Sequence, residues 1–106
     1  MKILLDECLP VDFRHSFSRH EAHTVQRTGF KSRQNGDLLR AAEAAGYDVL
    51  LTVDQGLPYQ QNLDVRHLSV LSISSRTNQL ADLIPLVDEI LKVLTEIGPG
   101  QVVRVR

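Results

Sequence analysis

One cysteine, no tryptophan and 5% aromatic residues leave this 106-residue chain short of several kinds of chemistry. A single Cys8 excludes a disulfide framework and a cysteine-based zinc site within one chain. No apolar run approaches the ~20 residues that a helix needs to cross a bilayer. The opening run, Met1 to Leu5, is too short for the apolar region of a signal peptide, and Asp6 and Glu7 end it. No membrane association and a cytoplasmic location are therefore expected. A net charge of −1 gives no global field, so any contact with nucleic acid must come from a local basic patch. Glycine-rich phosphate loops are absent, because Gly98 and Gly100 flank a proline and precede a strand pattern.

What is present is an ordinary globular balance, with 42% hydrophobic and 24% charged residues, at a length that suits one domain. Ile3-Leu4-Leu5 is an unbroken apolar run, as in a strand buried on both faces. Pro10 suits the first turn of a helix reaching to about Arg19, with Val11, Phe13 and Phe17 for its buried side. Ala22 to Val25 reads as a second strand. Asn35 is a good N-cap for a helix through Leu38, Leu39, Ala41, Ala42 and Ala45, closed by Gly46. Asp48 to Val53 is the clearest buried strand, and a loop follows over 55–64. Leu68 to Ile73 is another strand. Thr77 or Asn78 caps a long amphipathic helix through Ile97, which Pro85 should divide. Gln101 to Arg106 alternates as a half-exposed edge strand does. The order β-α-β-α-β-loop-β-α-β predicts a three-layer α/β/α fold with a mainly parallel sheet, and ligands in such sheets bind beyond the carboxyl ends of the strands.

Acidic residues gather where that rule points. Asp6 and Glu7 end the first strand, Asp54 ends the third, and Asp37 lies in the first turn of the second helix. Convergent carboxylates repel one another, and a cation relieves the repulsion. Hard oxygen donors without paired cysteine or histidine select Mg²⁺ or Mn²⁺, which activates water and stabilises a leaving oxygen in phosphodiester cleavage. The same acids also serve as turn formers and helix caps.

The segments Met1 to Pro10 (Met-Lys-Ile-Leu-Leu-Asp-Glu-Cys-Leu-Pro), Asn35-Gly36-Asp37-Leu38-Leu39 and Leu50-Leu51-Thr52-Val53-Asp54 occur in an order that resembles a family of short bacterial PIN-like proteins. The resemblance covers about the first 65 residues. It implies a PIN-like fold and a Mg²⁺- or Mn²⁺-dependent ribonuclease with Asp6, Asp37 and Asp54 as metal ligands and Glu7 as a ligand or supporting acid. It also implies kinship with the toxins of toxin–antitoxin pairs. Two positions depart from the family pattern. Cys8 stands where Asn is common, and Gly56 where a further acid often follows. With fewer acids, an interaction module without turnover is the alternative, pairing with an antitoxin-like protein or with a second copy through an exposed helix or the Val102–Val105 edge strand.

Arg27, Lys31 and Arg33, with Arg40 on the next helix, form a basic stretch that suits RNA phosphates or a solvated loop. Tyr59 suits stacking on a base or packing of its loop. The four histidines lack a metal spacing and read as surface residues. Cys8 reads as a small core residue whose thiol pKa is raised by the adjacent acids. A phosphoacceptor receiver domain shares the acid pair after strand one but needs a lysine after its last strand, where this chain has Arg104 and Arg106.

Overall fold

The computed structural model describes residues 1–29, 35–53 and 67–106, with the side chains of 35 and 36 excepted. Five parallel strands form one sheet in the order β2-β1-β3-β4-β5. They are β1 (Lys2–Leu5), β2 (Glu21–Thr24), β3 (Val49–Thr52), β4 (Ser69–Ile73) and β5 (Val102–Val105). The expected α/β/α layering is present, the sheet is parallel throughout, and the arrangement is compatible with a PIN-like fold. No helix among the described residues is long and apolar enough to cross a membrane.

Strand alternation sorts the core into two layers. Ile3, Leu5, Val49, Leu51, Leu71, Ile73 and Val105 point to one face. There they meet Phe13 and Phe17 of the first crossover and Leu83, Ile90 and Leu94 of the C-terminal helices. Leu4, Leu50 and Val70 point to the other face, against Val25, Leu38, Leu39 and Ala42. Burial on both faces explains the apolar runs Ile3–Leu5 of β1 and Val49–Leu51 of β3, and β4 is buried throughout although it carries Ser69 and Ser72.

The first crossover is a seven-residue 3₁₀ helix, Val11–Phe17, where the sequence suggested an α-helix to Arg19. Its span accounts for the difference. The chain must return along a four-residue strand, roughly 13 Å. Seven 3₁₀ residues reach about 14 Å, a span for which an α-helix would need about nine residues and run on to Arg19. Phe13 and Phe17 stay buried and pack edge to face, with centroids 5.2 Å apart.

Past β2, a short helix that the sequence reading missed, α1 (Val25–Thr28), ends at Gly29 with φ of 80°. Helix α2 (Asn35–Ala44) starts at Asn35 itself rather than after it. Gly46, at φ 86°, provides the left-handed turn expected of it. The long C-terminal helix is divided where Pro85 predicts. Helix α3 (Leu80–Leu83) passes through a 3₁₀ segment, Ile84–Leu86, into α4 (Val87–Glu96). Proline has no N–H to give to the preceding turn, so the α ladder breaks there.

Candidate functional site at the carboxyl edge

The chain leaves β1 for β2 across one face and returns to β3 across the other. The strand order therefore reverses between β1 and β3. In open parallel sheets that reversal leaves a crevice beyond the carboxyl ends, the usual ligand position. Asp6 is the first residue past β1, and Val53 the first past β3. The two strand ends are joined there, because the Asp6 amide donates to the Leu51 carbonyl at 2.9 Å.

The Asp6 carboxylate is half-buried and held by three donors. The Thr52 hydroxyl donates to Oδ2 at 2.7 Å, the Cys8 thiol to the same oxygen at 3.5 Å, and the Glu7 amide to Oδ1 at 2.9 Å. The Leu9 amide closes the turn onto the Asp6 carbonyl at 3.0 Å. Two other segments grip this turn by its main chain. The Asn78 side-chain amide donates to the Cys8 carbonyl at 2.9 Å, and the Gln26 side chain to the Glu7 carbonyl at 3.4 Å. Glu7 is exposed, so its carboxylate faces water rather than the crevice floor.

Cys8 is half-buried and packs against the core, as its reading as a small core residue expects, with polar partners besides. Burial, first, and the Asp6 charge push its thiol pKa up, while contacts to Val53 and Thr52 partly offset the rise. The direction matches the sequence expectation, but desolvation outweighs the carboxylate. The thiol is a hydrogen-bond donor to Asp6, and its raised pKa disfavours the thiolate that a nucleophile needs.

Asp37 lies in the first turn of α2. The other end of that helix is at the amino edge of the sheet, where the Lys2 ammonium donates to the Ala45 carbonyl at 2.8 Å. A ten-residue helix spans about 15 Å, so its start lies toward the carboxyl edge. Asp37 is exposed there and paired with Arg40 at 2.7 Å. Arg40 thus serves the helix surface, although the sequence grouped it with a basic patch.

Asp54, Lys31, Arg33 and Tyr59 lie outside the described residues. Arg27 is exposed on α1. Among the described residues, no three His, Cys, Asp or Glu side chains converge as a metal-binding group. The donor set can still be tested for fit. A carboxylate has about four acceptor positions, and the donors to Asp6 fill three, which leaves one on Oδ1 for a hard cation. Asp6 is an oxygen donor of the type Mg²⁺ and Mn²⁺ take, so the open position on its carboxylate fits such an ion.

Sequence reasoning missed Thr52 as an orienting group. A lone hydroxyl in an apolar strand, two residues before an acid, was the available signal. It missed Asn78 as well, reading it as a helix cap. The four histidines make no metal set among the described residues. His15 and His67 are exposed, while His20 and His23 are half-buried.

The fold and the crevice define an α/β protein with a doubly wound parallel sheet and an oriented aspartate at its switch point. No family model, curated protein or solved structure matches the chain.

Proposed function

We propose that this chain is a PIN-like, Mg²⁺- or Mn²⁺-dependent endoribonuclease acting at the carboxyl edge, in the manner of a toxin held in check by an antitoxin protein. The observation that carries the reading is the Asp6 carboxylate, fixed by Thr52, Cys8 and the Glu7 amide where β1 and β3 part. Three donors restrict its rotation, which suits a group that must present one oxygen in a set direction. Asp6, with Asp37 and Asp54, would hold the cation, and Glu7 would supply a nearby acid. A bound divalent ion would polarise phosphate oxygens and lower the pKa of water at the site. Arg27, Lys31 and Arg33 would hold the RNA backbone, and Tyr59 would stack on a base.

Thermal melting with Mn²⁺ tests the reading. A ligand at a hundredfold excess over its Kd stabilises by about 2.7 kcal/mol, which moves the melting temperature by several degrees in a domain of this size. The wild type should show that shift, and Asp6→Asn and Asp54→Asn should each lose it. Cleavage of single-stranded RNA should require the metal and vanish in Asp54→Asn. A wild type indifferent to Mn²⁺ and Mg²⁺ would remove the proposal.

One observation favours a second reading. Asp37 is already neutralised by Arg40. An interaction module without turnover, docking an antitoxin-like protein or forming a homodimer, would keep such a pair intact. Arg40→Ala separates the two readings: it should tighten metal binding in a nuclease and change nothing in a module that binds no metal.

A further inference from the structure

Away from the carboxyl edge, a cleft of about 560 Å³ opens beside edge strand β2. That volume lies in the range of small-ligand sites. Lys2, Arg14, His23, Arg27 and Tyr47 contribute to its lining, and none of the lining residues among the described residues is acidic. Three of these side chains carry permanent positive charge, in a chain whose net charge is −1. The sequence reading saw only Arg27 among them, because Lys2, Arg14 and Arg27 are dispersed along the chain and meet through the β1–β2 pairing.

The cations of the cleft differ in how they are occupied. The Lys2 ammonium sits 4.4 Å from the Tyr47 ring centroid and donates to Ala45, which leaves two of its three N–H groups unassigned. His23 is bound to the Tyr47 hydroxyl at 2.7 Å and lies 3.5 Å from Glu21. Arg14 has its Nε buried with no hydrogen-bond partner. Arg27 is exposed and makes no ion pair among the described residues. Arg40 and Arg76, by contrast, each face a carboxylate. Guanidinium groups match phosphate oxygens in geometry as well as charge.

We propose that this cleft binds a phosphate-bearing ligand of nucleotide size, with Arg14 and Arg27 donating to the phosphate oxygens and Lys2 adding a third positive charge. The inference shares Arg27 with the nuclease reading but needs no metal site, since neither Asp6 nor Asp37 lines the cleft. A nucleotide phosphate reaches it either as a free mononucleotide or within a single-stranded nucleic acid, and the recognising chemistry is the same.

Calorimetric titration with AMP and with an uncleavable 2′-O-methyl RNA oligonucleotide distinguishes these sources, with inorganic phosphate as competitor. At least one of the two should bind and be displaced by phosphate. Arg27→Gln should weaken binding about tenfold, the loss expected for one charge-assisted hydrogen bond. Adding Arg14→Gln should abolish it. Arg76→Gln should bind as the wild type does. If Arg14→Gln fails to fold, the exposed Arg27→Gln still decides. Absence of binding by both probes, failure of phosphate to compete, or full affinity in Arg27→Gln would overturn the inference. Phosphate-site failure with intact Mn²⁺-dependent cleavage removes this inference alone. Binding without cleavage leaves it standing and removes the other.

Discussion

Two neighbouring rows of side chains cross the sheet near its carboxyl end, one residue apart along each strand. The lower row is Leu5, Leu51, Leu71 and Val103, with the three leucines fully buried. The upper row, on the opposite face, is Asp6, Thr52, Ser72 and Arg104: Thr52 pairs with Ser72, Ser72 with Arg104, and the Thr52 hydroxyl meets Asp6. One step of a period-two pleat thus separates a purely hydrophobic layer from a polar one. The lower row sets the register, because a slip of one residue would bury Asp6 and Arg104 on the apolar face. The upper row spends part of that stability on oriented polar groups. Ser72 makes this cost visible, since its hydroxyl is buried without a partner.

The contrast is breakable in order of size. Leu51→Ala, in the lower row, should cost about 2–5 kcal/mol, read from the urea midpoint at constant slope. A loss below 1 kcal/mol would mean that the row is not the packed layer described. In the upper row the two hydroxyls should respond differently. Thr52→Val removes a donor to a carboxylate and should cost about 1–3 kcal/mol. Ser72→Ala removes an unpartnered hydroxyl and should be neutral or slightly stabilising in the same assay. Equal penalties at both positions would erase the distinction.

The smallest effect concerns Cys8. Its thiol pKa is raised in the folded state, mainly by burial and next by the Asp6 charge. The folded state therefore favours the neutral thiol. This contribution to stability is full below the unfolded thiol pKa and is lost as pH rises toward the folded value. Alkylation of Cys8 should lag that of a free cysteine peptide at mildly alkaline pH, and Asp6→Asn should narrow the gap. A pH–rate profile that matches the peptide would contradict this placement of the thiol.

Much of the fold could be read in advance because local rules govern it. Unbroken apolar runs marked β1 and β3, a mostly apolar run marked β4, Gly46 marked a helix end, and Pro85 marked a break. The lateral order of strands could not be read, because no local pattern states which strand lies beside which. That order places Thr52 beside Asp6 and gathers Lys2, Arg14 and Arg27 around one cleft. The 3₁₀ crossover was hidden for a related reason, since its pitch answers a distance between strand ends rather than a propensity. At the site, Asp6 and its turn were legible and their hydrogen-bond partners were not. Asp54, Lys31, Arg33 and Tyr59 fall outside the described residues.

The turn after β1 is clasped from both flanks through its carbonyl oxygens, by Gln26 at residue 7 and by Asn78 at residue 8. Main-chain clasps are indifferent to what the clasped residues carry. Side-chain identity at position 7 is thereby uncoupled from the path of the loop, so new chemistry can be installed there while the aspartate beside it keeps the Thr52 and Cys8 donors that aim it.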